Sequence, residues 1–111
     1  MRILLTNITL ASQSGTEIVT RDLALGLKAK GHDPTVFTPN PGVVSEQIER
    51  SGVKVVRSLE DVIEAPDIIH GHHLVETASA LIRFPQTPAI FVYSFQQHHS
   101  RRPARAGLFR F

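Results

Sequence analysis

The chain has 111 residues, of which 41% are apolar and 20% charged, and it contains no cysteine. That length suits one domain with a buried core and that composition an ordered globular protein, while a disulfide scaffold and any thiolate metal site are excluded. The formal charge of +2 conceals an uneven spread, because residues 1 to 92 carry eight Lys or Arg against all ten acids and the remaining four arginines stand alone in the tail. Arg101, Arg102, Arg105 and Arg110 therefore read as a solvated terminus, and nucleic acid is not an expected partner. No apolar run approaches the roughly 20 residues that span a bilayer, and Met1 to Leu5 is too short for a signal peptide, so a cytoplasmic protein is expected.

In chain order, Arg2 to Asn7 holds three consecutive aliphatic residues and predicts a strand covered on both faces. A polar loop, Ile8 to Gly15, opens into an amphipathic helix over Thr16 to Lys30, with Ser14 or Thr16 as its cap and Glu17 in its first turn. Val19, Leu23 and Leu27 form the expected inward stripe, with Gly26 permitting close approach to a sheet and Gly31 a left-handed cap. Asp33 to Thr38 reads as a second strand, Val43 to Arg50 as a helix, and Val53 to Val56 as a third strand. Ser58 and Asp61 predict a capped short helix through Ala65. Asp67 to His70 is a fourth strand, Leu74 to Arg83 a helix with Leu74, Ala78, Leu81 and Ile82 facing inward, and Ala89 to Tyr93 a fifth strand.

Strands alternating with helices imply parallel strands joined by right-handed crossovers, hence an α/β doubly wound sheet of about five strands with helices on both faces. Ligands of such sheets bind beyond the carboxyl ends of the strands. Three loops gather there: Asn7 to Gly15, His70 to His73, and Ser94 to His99. The first leads into a helix start whose free N–H groups suit a phosphate.

Ile3-Leu4-Leu5, Gly15-Thr16-Glu17, Leu23-Ala24 with Leu27, Gly31-His32, Gly52-Val53 and Asp67-Ile68-Ile69-His70-Gly71-His72 together resemble the N-terminal Rossmann-like domain of GT-B glycosyltransferases of family 4. The resemblance covers residues 1 to about 92 as the acceptor-side domain and leaves 93 to 111 as a basic tail of unclear structure. It implies a retaining transfer from a nucleotide-sugar, without a metal or other cofactor. By position, Ser14, Gly15 and Thr16 would meet the donor diphosphate, and His70, His72 and His73 would line the acceptor and sugar pocket. The family's usual pair of glycines before the Glu is here Ser14-Gly15-Thr16. No catalytic residue carries over: a histidine is expected after the fifth strand, where Tyr93-Ser94-Phe95 stands and His98 or His99 follows only later. The family's second domain, which holds the donor, has no counterpart before Phe111, so the chain is expected to be truncated and inactive alone.

His-x-His-His also offers nitrogen ligands to zinc, but no downstream acid-and-histidine pattern or cysteine completes a site, and ordinary strand-end histidines are the remaining reading. A dinucleotide module would want Gly-x-Gly-x-x-Gly after the first strand, where Gly15 stands alone. A non-enzymatic interaction or regulatory α/β domain is the stronger alternative, given the small size and the Arg/Phe tail. Core left uncovered would favour a homo-oligomer, with Phe95, Leu108, Phe109 and Phe111 able to cover part of it.

Overall fold

The computed structural model describes residues 1–11, 15–93 and 105–109, with Tyr93 and 105–109 described by their backbone alone. Its elements are β1 (Arg2–Thr6), α1 (Gly15–Ala29), β2 (Asp33–Phe37), α2 (Val43–Arg50), β3 (Lys54–Val56), β4 (Ile68–His72), α3 (Leu74–Arg83), β5 (Ala89–Tyr93) and β6 (Arg105–Phe109). The described strands form one sheet in the order β3-β2-β1-β4-β5-β6. Strands β1 to β5 are mutually parallel, as the alternating pattern predicts, and β6 runs antiparallel to β5. That sixth strand falls within the tail, where the sequence pattern predicts no element. Ser14, His98, His99, Phe95 and Phe111 lie outside the described residues.

The sheet is covered on both faces because the inner strands carry apolar residues on either side through their amino-terminal and middle positions. Ile3, Leu5 and Val36 meet Leu10, Ala24, Val44 and Ile48 on the face of α1 and α2. Leu4, Phe37 and Ile69 meet Val62, Ala80, Leu81 and Phe84 on the face of α3. The chain changes direction between β1 and β4, which are direct neighbours paired from Ile3 opposite Ile68 to Thr6 opposite Gly71. This is the topological switch point, where adjacent loops leave in opposite directions and open a crevice.

Two local features follow from single residues. Gly31 closes α1 at φ 88°, a left-handed conformation that a side chain would strain. Gly71 lets α3 lie against β4, since a Cβ there would collide with the side chain of Thr77.

Four local expectations are corrected. Val19 is 52% exposed and Gly26 faces open space, because α1 turns Glu17, Thr20 and Ala24 inward instead. Leu74 and Ile82 are 71% and 81% exposed, because α3 buries Glu76, Thr77, Ala80 and Leu81. Ser58 caps only a single 3-10 turn, Leu59–Asp61, accepting from the Glu60 N–H. Helix α1 begins at Gly15, which puts Thr16 inside its first turn rather than at its cap.

Candidate functional site

The site forms where β1 and β4 end side by side. Strand β4 extends two residues beyond its predicted end, so His70 and His72 belong to the strand and project from the same face, towards α1. His73 follows as the residue that caps α3. The three imidazoles adjoin: ring centroids lie 5.4 Å apart for His70 and His72 and 6.5 Å for His72 and His73.

Asn7, one residue past β1, ties this cluster to the start of α1. Its Nδ2 donates to the Thr16 carbonyl at 3.2 Å and to Thr20 Oγ1 at 3.0 Å, while its Oδ1 accepts from the Thr9 N–H at 3.3 Å. Since a carbonyl only accepts and an N–H only donates, these partners fix the orientation of the amide. Thr20 Oγ1 in turn donates to the Thr16 carbonyl and lies 3.4 Å from His72 Nδ1. Asn7 and Thr20 are wholly buried and His72 is 3% exposed, so this is an interior network rather than a solvated rim. Buried polar groups of this kind are stable only when partnered, and here each supplies what its neighbour lacks.

On the opposite face Thr6 Oγ1 donates to the His72 carbonyl at 3.1 Å, and Thr77 Oγ1 donates to the His73 carbonyl at 2.7 Å. The Ile8 N–H donates to His73 Nδ1 at 3.1 Å. The loop after β1 is laced to the loop after β2 as well, through Leu10 N–H to the Asn40 carbonyl and Asn40 Nδ2 to the Ile8 carbonyl, both at 2.9 Å. Gly15 stands exposed at the first position of α1.

Electrostatically the cluster is kept uncharged. Burial lowers the pKa of His72 to about 4, and the neighbouring His70 and His73 add to the shift. Burial also lowers that of His70, whose Nδ1 is enclosed without a hydrogen-bond partner. Among the described residues no three His, Asp or Glu side chains converge as a metal ion would require, and no helix is long and apolar enough to cross a membrane.

Of the residues singled out from sequence, Gly15, Thr16, His70, His72 and His73 are thus gathered at one edge, and Ser14 lies outside the described residues. The sequence reading missed Asn7, Thr20, Thr6, Thr77 and the buried Glu76. For Thr20, Glu76 and Thr77 the signal was the phase of the helices: Glu17, Thr20, Ala24 and Leu27 share one stripe of α1, which a search for apolar residues alone passes over.

A second concavity of about 320 Å³ lies at the other edge of the sheet, bordered by Arg2, Asp33, Lys54 and Glu64. Arg2 and Glu64 neutralise one another there at 2.9 Å. It sits at the amino ends of the strands, where among the described residues no helix presents its N-terminus.

No curated protein and no solved structure gives a significant match to the chain. A sequence model described as Glycosyltransferase Family 4 matches residues 13–110, which takes in every helix, the histidine cluster and the sixth strand. With a parallel sheet whose helix start and histidines meet at the switch point, the chain belongs to glycosyltransferase family 4 and is glycosyltransferase-like in function.

Proposed function

We propose that this chain is the acceptor-side half of a retaining, nucleotide-sugar-dependent transferase of the GT-B type, and that it does not catalyse transfer by itself. The observation that carries the reading is the link from the Thr16 carbonyl through Asn7 and Thr20 to His72, which couples the start of α1, an anion-favouring helix end, to an uncharged imidazole cluster. In this reading the backbone at Gly15 and Thr16, with Ser14 before them, meets the donor diphosphate. His70, His72 and His73 line the pocket for acceptor or sugar. Transfer needs both substrates oriented in a closed, water-poor cleft, and one wall does not provide that.

Calorimetric titration of UDP and GDP tests this reading. A Cβ added at Gly15 meets no atom of the described residues within 4 Å and the position is exposed, so Gly15→Leu is expected to keep the fold and obstruct a ligand that approaches the backbone. Millimolar binding that falls roughly tenfold in Gly15→Leu is the expected result, equivalent to about 1.4 kcal/mol. Absence of any binding at millimolar nucleotide sinks the proposal.

One observation favours a second reading, a non-enzymatic interaction domain that pairs with itself: Leu74, Val75 and Ile82 leave an exposed apolar surface on α3. Sedimentation separates the two, since a strict monomer at high concentration counts against self-association.

A further inference from the structure

One hydrogen bond ties together the two segments that leave β1 and β4 at the switch point. The Ile8 N–H, in the loop after β1, donates to His73 Nδ1, in the turn into α3, at 3.1 Å. Among the described residues no other hydrogen bond joins residues 8–11 to residues 73–83. Each segment has further anchors on its own side. The loop is fastened to the one after β2, through Leu10 N–H to the Asn40 carbonyl and Asn40 Nδ2 to the Ile8 carbonyl. The turn is fastened to α3 itself, since the Thr77 N–H and Thr77 Oγ1 donate to the His73 carbonyl at 3.1 and 2.7 Å.

The choice of acceptor makes the crossing bond conditional on a proton. An imidazole nitrogen accepts only through its lone pair, and a ring protonated at both nitrogens has two donors and no acceptor. A backbone N–H cannot reverse its role, so protonation sets N–H against N–H and the bond is lost. The backbone at His73 is a second, independent observation. At φ 70° and ψ 135° it occupies a region that glycine adopts freely and side chains avoid, and among the described residues no other non-glycine residue has a positive φ. Glycine would make this turn with less strain and would abolish the crossing bond, so the imidazole is kept against a local cost.

The surroundings leave that bond to answer to His73. On β4 its neighbour is His72, with ring centroids 6.5 Å apart, and His70 adjoins His72 on the far side at 5.4 Å. Burial opposes a charge on both and holds the pKa of His72 at about 4. The acids that the helices bury at this edge are Glu17 in the first turn of α1 and Glu76 in that of α3. Residues 8–11, 38–42 and 70–73 contain no Lys, Arg, Asp or Glu.

We propose that the hydrogen bond from Ile8 to His73 is a proton-released strap between the two walls of the crevice, fastened while the imidazole is neutral and unfastened by acid, with both walls staying folded on their own anchors. As a regulation of ligand entry the strap rests on the glycosyltransferase reading of the crevice. As a device of the fold it does not.

Amide and imidazole NMR of the full chain without nucleotide, followed from about pH 7.5 to about pH 5.5, tests the strap. The Ile8 amide shift is expected to follow the His73 ring signals with one midpoint. Hydrogen exchange at Ile8, corrected for its intrinsic pH dependence, is expected to lose about tenfold protection over the same range. The flanking Asn7 N–H, bonded to the Phe37 carbonyl, and Leu10 N–H, bonded to the Asn40 carbonyl, keep theirs. Protection at Ile8 that does not change, or that is lost together with Asn7 and Leu10, overturns the proposal. His73→Asn offers Oδ1 in place of Nδ1, an acceptor that does not titrate, and Ile8 is expected to stay protected at both ends of the range. The parent's pH dependence persisting in His73→Asn places its origin elsewhere and overturns the strap. His73→Gly removes the acceptor while relieving the backbone, so Ile8 is expected to lose protection even at the upper pH, and protection equal to the parent's there is equally contradictory. Because no nucleotide is present, these results are independent of whether UDP or GDP binds.

Discussion

The two ends of the central strands follow opposite rules. At the amino end and middle, β1 and β4 contribute Ile3, Leu4, Leu5 and Ile69 to dry cores that fill both faces of the sheet. At the carboxyl end the same two strands supply Thr6, Asn7, His70 and His72, and the helices packed over them bury Glu17, Thr20, Glu76 and Thr77. The helices show the inversion most plainly: where α1 and α3 begin, polar residues turn inward while Val19, Leu74 and Val75 face solvent. Apolar packing maximises stability, so a buried polar edge is retained for something other than stability, and the crevice at the switch point is what it borders.

Breaking the apolar half should have the largest effect. Leu5 is fully enclosed, and Leu5→Ala is expected to lower unfolding free energy by about 2–5 kcal/mol in urea titration. Gly71→Ala comes next, at about 1–3 kcal/mol, because the added methyl drives into Thr77 and must push α3 off the sheet. The polar half has a pH signature of similar size. The His72 pKa is about 4 when folded against 6.5 when exposed. Between those values the unfolded chain binds the extra proton, so stability falls as pH drops from 6.5 towards 4. The expected loss is about 2 kcal/mol after allowance for solvent screening, and His72→Asn should flatten that slope. A rise in stability over the same interval would contradict the buried, neutral assignment.

Smaller effects sharpen the contrast. Thr20→Val keeps the volume but removes the hydroxyl that joins Asn7, the Thr16 carbonyl and His72, with an expected cost of about 1–2 kcal/mol and a loosened helix start. Val19→Lys and Leu74→Ser, on the exposed sides of the same helices, should stay within about 0.5 kcal/mol of the parent.

The inversion also explains what the sequence revealed. The strands and helices were legible because the apolar half obeys ordinary periodicity: three aliphatic residues in β1, Gly31 closing α1, and Pro88 ahead of β5. The edge that carries the site was legible in its histidines and Gly15 but not in its helix phases. An inward stripe assigned by hydrophobicity selects Val19 and Leu74, whereas packing at the crevice selects Thr20, Glu76 and Thr77. Strand β6 was not legible because the short run of Arg105, Ala106, Gly107, Leu108 and Phe109 has no apolar alternation and a glycine at its centre, and its pairing with β5 arises from the free edge that β5 presents.

Amide-shift mapping of the whole chain with UDP is the most direct measurement of the division between a structural end and a binding end. The account expects perturbations confined to Asn7, Gly15 to Thr20 and His70 to His73, with Arg2, Asp33, Lys54 and Glu64 around the opposite concavity unmoved. Shifts centred on those four residues, with the polar edge silent, would contradict it.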